Sequence, residues 1–183
     1  MSGPSGAPTA RLRDSLDADL PAIQAIYAHH VRHGSASFEL EPPDLAEMTA
    51  RRRALVERGL PYLVAERQGA VGGYAYAGPY RPRPAYRFAL EVSVYVAPDS
   101  HRLGLGRLLL AGLIERSEAL GFRQLVAVVG DSANAASIGL HQALGFRLAG
   151  TLQSVGWKHG RWLDSVFLQR SLGPGDATPP DAA

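Results

Sequence analysis

Cysteine is absent from the 183 residues, which excludes disulfides, thiolate metal sites and a cysteine nucleophile. No apolar run approaches membrane-spanning length. The Gly/Pro/Ser/Ala-rich start carries no apolar stretch of the kind a signal peptide needs. These absences predict a soluble cytoplasmic protein with no membrane partner. Excess charge of one sign is lacking too: 19 Lys+Arg against 17 Asp+Glu leave a formal net charge of +2. No long Lys/Arg run is interleaved with aromatics, so nucleic acid is not implied as a partner. The densest basic cluster, Arg51-Arg52-Arg53, falls in a helical pattern and reads as a solvated face. His29 and His33 share a helix face, but no Glu accompanies them in an H-E-x-x-H pattern, so no metal site is expected. Histidines in a last turn suit the helix dipole without any ligand.

Apolar residues, in contrast, make up 46% of the chain, enough for one domain of this length to bury a core. The domain is read over 10–172. Gly/Pro/Ala/Asp-rich tails over 1–9 and 173–183 are expected to be disordered. Ala10 to Asp14 reads as a short strand. A helix follows, with Asp17 as its N-cap and Pro21 in its first turn. A polar connection from Ser35 to Leu40 leads to a second helix, from Asp44 to about Arg58, stopped by Gly59. A hairpin turns at Gln68-Gly69. A segment with three prolines, Gly78 to Tyr86, then breaks the sheet. Leu125 to Val129 reads as a buried parallel strand. Asn134 starts a helix that Gly145 ends, and two strands with a turn at Lys158-His159-Gly160-Arg161 close the chain.

The stretch from Glu91 to Leu110 organises these parts. Val92, Val94 and Val96 alternate along a strand that Pro98 ends. Gly104 and Gly106 then open a helix with apolar positions Leu105, Leu108, Leu109 and Leu113. The first N–H groups of a helix lack partners, and the dipole adds positive character. Glycine lets an anion approach that backbone, and Arg102 and Arg107 add side-chain charge. The physical product is a pyrophosphate cradle. The dinucleotide fingerprint G-x-G-x-x-G is incomplete, because its third place holds Leu109, although Asp131 lies downstream where a ribose-binding acid would sit. The residues alone leave that alternative open, together with a glycine loop that binds nothing.

The loop His101-Arg102-Leu103-Gly104-Leu105-Gly106 resembles the coenzyme A loop of the GNAT superfamily of N-acetyltransferases, Gln/Arg-x-x-Gly-x-Gly/Ala, with His101 in place of Gln or Arg. Asn134 to Phe146 resembles the second signature of that superfamily, Asn-x-x-Ala/Ser-x-x-x-Tyr-x-x-x-Gly-Phe. Glu91, the run from Tyr74 to Pro79 and the segment from Gly156 to Asp164 narrow the resemblance to the phosphinothricin N-acetyltransferase group, which includes members acting on methionine sulfone or sulfoximine. The chain departs from the resistance enzymes of that group. It lacks the proline of Asn-Asp-Pro-Ser at Asn134-Ala135-Ala136-Ser137, and Tyr80 and Arg81 replace a Trp and a Lys.

The resemblance implies an α/β GNAT fold: a mixed, mostly antiparallel central sheet flanked by helices, with the Glu91 and Leu125 strands forming a parallel pair splayed at the cofactor. It implies acetyl-CoA as co-substrate and no metal. The coenzyme residues would be Val94, Tyr95, Val96, Arg102, Leu103, Gly104, Leu105, Gly106, Arg107, Asn134 and Ser137. The implied reaction is acetyl transfer to the α-amine of a small amino acid of the phosphinothricin, methionine sulfoximine or methionine sulfone type. Glu91 is the expected general base, since a Glu within an apolar strand should have a raised pKa. Alternation equally allows Glu91 a solvated place opposite Val92. His141 stands at the place of the family's acid Tyr, and either protonates the departing thiolate or serves as a structural histidine. Without cysteine, direct transfer replaces an acetyl-cysteine route. Arg81 and Arg83, on a proline-stiffened loop, suit the acidic groups of the substrate, with Phe38 and Tyr86 as pocket walls; otherwise they are two exposed loop arginines. A homodimer is expected by the same resemblance. Two other readings are a GNAT enzyme acting on a polyamine, peptide or protein amine, and a non-catalytic coenzyme A-binding sensor.

Overall fold

The computed structural model describes residues 10–180, and the disordered ends expected at 1–9 and 181–183 lie outside the described residues. The elements run β1 (Arg11–Asp14), α1 (Leu20–His33), α2 (Leu45–Val56), β2 (Tyr62–Arg67), β3 (Ala70–Pro79), β4 (Ala89–Val96), α3 (Leu105–Ala119), β5 (Gln124–Gly130), α4 (Ala135–Ala143), β6 (Arg147–Lys158) and β7 (Arg161–Ser171). One seven-stranded sheet has the order β1-β2-β3-β4-β5-β7-β6. Only β4 and β5 pair in parallel; the other neighbours are antiparallel. The mixed sheet flanked by helices is therefore the one expected. Gln68-Gly69 and His159-Gly160 hold positive φ at both positions, as two-residue hairpins between right-twisted strands require.

Alternation along β4 divides the core into two faces. Leu90 and Val92 are buried with Leu109, Leu110 and Leu113 of α3. Tyr95 is buried on the other face with Tyr62, Val64 and Tyr74, beneath Ile23, Ile26 and Tyr27 of α1 and Met48 of α2.

The parallel pairing of β4 and β5 runs from Ala89↔Gln124 only to Val92↔Ala127, although β4 continues to Val96 and β5 to Gly130. The two strands part beyond Val92. β4 stays paired with β3 along its length. Tyr80 N donates to the Ala89 carbonyl and Ala97 N to the Gly72 carbonyl. Odd-numbered residues of β4 therefore direct their N–H and C=O groups at β3, and the even-numbered Val94 and Val96 direct theirs into the gap.

Asp17 is not the N-cap expected. It lies in a 3-10 turn and pairs with Arg52 Nη1 at 2.6 Å, while the Asp19 carboxylate accepts from Leu16 N at 2.7 Å. Nor is Arg51-Arg52-Arg53 a solvated face. Successive helical residues point about 100° apart, and Arg52 points inward: it is buried, with Nε donating to Ser15 Oγ at 2.7 Å. Residues 173–180, read as part of a tail, form turns, and Arg123 donates to the carbonyls of Gly175 and Pro179. No helix among the described residues is long and apolar enough to cross a membrane.

Candidate active site

Past Val96 the chain makes a 3-10 turn at Pro98–Ser100 and passes through Arg102 at φ 63° and Gly104 at φ 79°. Gly104 caps α3, in a left-handed conformation that costs an L side chain about 1–2 kcal/mol. Leu108 N bonds the Gly104 carbonyl, so the amides of Leu105, Gly106 and Arg107 have no helical acceptor and stand at the positive end of the helix dipole. A Cβ at Gly106 would come within 3.2 Å of Leu140 and 3.7 Å of Val96; glycine keeps the helix start open against α4 and β4. These residues line a cleft of about 810 Å³, together with Val94, Val96, Arg102, Asn134 and Ser137. Asn134 caps α4 through its Oδ1, which accepts from Ser137 N at 3.2 Å. Two expected coenzyme residues are not in the cleft. Leu103 is exposed. Tyr95 points its backbone at β3 and its ring onto the opposite face, edge-on to Tyr27 at 5.1 Å.

Two histidines without an assigned role converge on this edge. His30 Nε2 lies 2.9 Å, and His101 Nε2 3.2 Å, from the Val96 carbonyl. A carbonyl only accepts, so both rings donate from Nε2. Burial lowers the pKa of His30, holding it neutral. Val94 N–H, Val94 C=O and Val96 N–H remain as backbone groups facing the gap with no strand beside them. The departure of His101 from the Gln/Arg pattern was the sequence signal for this pair. Asp131, the candidate ribose acid, is already committed: it pairs with Arg161 and accepts from Ala133 N at 3.0 Å. That leaves the dinucleotide alternative without its acid.

Glu91 lies on the Ser93–Tyr95 face, about one-third exposed at 36%. Burial raises its pKa above the usual carboxylate value, and Arg81, with Nη1 3.7 Å from Oε2, opposes that rise. Arg81 also donates to the Tyr80 carbonyl at 2.9 Å and lies 4.4 Å over the Tyr80 ring. The four expected substrate residues do not form one wall. Arg83 and Tyr86 line a second hollow of about 340 Å³ with Arg58, Arg87 and Phe122, which Arg81 borders as well. Phe38 lies elsewhere, its ring over Gly130 and Gly156, where a Cβ on either glycine would strike it. The connection carrying Phe38 is tied down: Lys158 Nζ, on the chain's single lysine, donates to the Ser37 carbonyl at 2.6 Å, and Tyr27 Oη lies 2.9 Å from Ser37 Oγ.

His141 is buried at the neck between β4 and β5, bordering a gap of about 40 Å³ with Ser93 and Val94. Its Nδ1–H donates to the Ser137 carbonyl at 2.8 Å, and Nε2 has no partner among the described residues. Burial lowers its pKa, so the resting ring presents a bare Nε2 lone pair at neutral pH.

Comparison with known proteins is consistent with this geometry. A family model described as an acetyltransferase (GNAT) domain matches residues 12–167. A phosphinothricin N-acetyltransferase of Alcaligenes faecalis is 62% identical over 165 residues, covering 90% of this chain and 84% of that protein. An L-methionine sulfoximine/L-methionine sulfone acetyltransferase of Pseudomonas paraeruginosa is 45% identical, covering 93% and 99%. The crystal structure of a GNAT superfamily phosphinothricin acetyltransferase from Sinorhizobium meliloti in complex with acetyl-CoA superposes with a TM-score of 0.92 at 49% identity, covering 96% of this chain and 95% of that one.

Proposed function

The chain belongs to the GNAT family of acetyltransferases, and from that premise we propose that it moves an acetyl group from acetyl-CoA to the α-amine of a small amino acid of the phosphinothricin, methionine sulfoximine or methionine sulfone type. The relatives' names and the retained Glu91 favour this over a sensor or a protein-modifying enzyme. The observation that carries the reading is what meets on β4: a bare backbone edge and an open helix start on one side, and a carboxylate of raised pKa beside a guanidinium on the other.

The residues fit the coenzyme. Free α3 amides suit a pyrophosphate, and the unpaired Val94 and Val96 groups suit the amides of an extended pantetheine arm, which they would pair as an added strand. When bound, acetyl-CoA supplies an activated thioester. Glu91 takes a proton from the substrate ammonium, directly or through one water, freeing the amine to attack. Val94 N–H donates to the acetyl oxygen as negative charge builds there. The His141 Nε2 lone pair takes the second proton leaving the nitrogen and returns it to the departing sulfur. Arg81, beside Glu91, binds the substrate carboxylate. Arg83 and Tyr86 extend that anion-binding surface, and Phe38 closes the opposite wall. With no cysteine for a covalent stage, transfer is direct.

The enzyme is proposed to act in the cytoplasm, in keeping with its lack of disulfides, and as a homodimer. β6 is an edge strand that exposes Leu148, Leu152, Val155 and Trp157, with Trp157 edge-on to Trp162 at 5.2 Å. So large an apolar edge favours a second copy. Thiol release from acetyl-CoA would be measured with phosphinothricin, methionine sulfoximine, methionine sulfone, a polyamine and a peptide. Turnover with the oxidised amino acids, lost in Glu91→Gln, is expected. Tight acetyl-CoA binding with no turnover of any amine would overturn the proposal and favour a sensor.

A further inference from the structure

A cavity of about 270 Å³ lies between α2 and the tyrosine face of the sheet. It is distinct from the coenzyme cleft, and the transfer chemistry above does not use it. Tyr27 of α1 with Met48, Arg51 and Leu55 of α2 form one wall, and Tyr62, Tyr74 and Tyr76 of β2 and β3 form the other. Tyr76 links it to the reacting centre. It pairs with Ser93 across β3 and β4, and its phenol feels both the Ser93 hydroxyl and the Glu91 charge. Same-face neighbours on a strand are about 7 Å apart and adjacent strands about 5 Å, so the cavity begins one side-chain length from the Glu91 carboxylate.

Two features define what it would hold. Tyr74 is fully buried and its hydroxyl has no partner among the described residues, a condition that costs about 1–3 kcal/mol. Arg51 is already paired, with Glu39 at 2.6 Å and Glu47 at 2.8 Å, and brings no uncompensated positive charge. The cavity offers aromatic rings, a thioether and a free O–H donor. That chemistry suits a neutral chain with polarisable sulfur or an S=O acceptor. It is poor for an anion, whose burial needs a free cation.

We propose that this cavity is the acceptor's side-chain pocket, and that it selects neutral methionine-like chains ending in S=O over the anionic phosphinate. The proposal rests on the function proposed above, in which the α-amine sits at Glu91 and the carboxylate at Arg81. From there the side chain runs past Tyr76 toward the Tyr74 hydroxyl.

The test is steady-state acetylation by the full chain of methionine sulfone, phosphinothricin and alanine, in the native protein and in Met48→Trp, Leu55→Phe and Tyr74→Phe. The native protein should show kcat/KM about tenfold or more higher for the sulfone than for phosphinothricin. Met48→Trp and the milder Leu55→Phe fill the cavity. Each should raise KM for the sulfone about tenfold and leave KM for acetyl-CoA and turnover of alanine unchanged. Tyr74→Phe should raise KM for the sulfone severalfold without lowering thermal stability; a merely structural hydroxyl would leave that KM alone. Equal kcat/KM for sulfone and phosphinothricin, or an unchanged sulfone KM in a folded cavity-filled variant, would overturn the pocket while amino-acid acetylation stands. No turnover of any amino acid by the native protein would overturn the proposed function itself, and the pocket with it.

Discussion

The two sides of β4 are built on different principles. The proposed coenzyme side comes almost entirely from two short stretches, Val94 to Arg107 and Asn134 to Ser137, and would work through backbone: strand groups with no neighbour, helix amides with no acceptor, and a glycine at φ 79°. The proposed acceptor side is made of side chains brought from α1, the connection carrying Phe38, α2, β2, β3 and the proline loop. Backbone recognition needs only a strand end followed by an open helix start, and so tolerates many side chains. Side-chain recognition depends on which distant residues meet, and there small changes redirect specificity.

Breaking the chemistry while sparing coenzyme binding gives the largest contrast. Glu91→Gln keeps the shape but removes the proposed base, so kcat should fall about 10²- to 10⁴-fold, with acetyl-CoA affinity by calorimetry unchanged. The reverse separation comes from Gly104→Val, which places a β-branched residue at φ 79°. It should cost about 1–2 kcal/mol, read as roughly a tenfold weaker acetyl-CoA Kd. KM for the amine should hardly move, and an equal loss on both sides would contradict the division. His30→Ala is a smaller intrusion on the coenzyme side. Losing one of two donors on the Val96 carbonyl should cost about 1 kcal/mol, or roughly a fivefold higher KM for acetyl-CoA. The smallest effect concerns pH. As the proposed base, Glu91 would act only when ionised, so kcat/KM should rise as pH passes its raised pKa. Arg81 favours the ionised form. Arg81→Ala should therefore move that limb to higher pH, and a shift to lower pH would mean that the limb belongs to another group.

The coenzyme side was legible because its signals are local. Gly104 and Gly106 mark the helix start, Pro98 the strand end and Asn134 the next cap, and the elements lie where those residues predict. Leu103 and Tyr95 lie outside the lining of the cleft for the same local reason: membership of a motif does not tell which way a side chain points. Arg52 shows the limit of composition. Three consecutive arginines look solvated, yet one is buried on Ser15 and Asp17, because these partners sit 37 and 35 residues away. Phe38 was grouped by chemistry with Arg81 and Arg83, and the structure places it apart from the hollow that the two arginines share.

By itself the sequence determined the order of elements, the open α3 start and the absence of any thiol chemistry, since each follows from composition or from residues within one turn or strand of one another; the parallel pair was implied by the family resemblance. Only the tertiary structure decided at which residue β4 and β5 part, that His30 and His101 meet on one carbonyl, that Glu91 is half-sheltered beside Arg81, and that a tyrosine-lined cavity lies next to it. Each of these depends on contacts between segments far apart in the chain, set by how helices and strands pack against a twisted sheet rather than by any local preference.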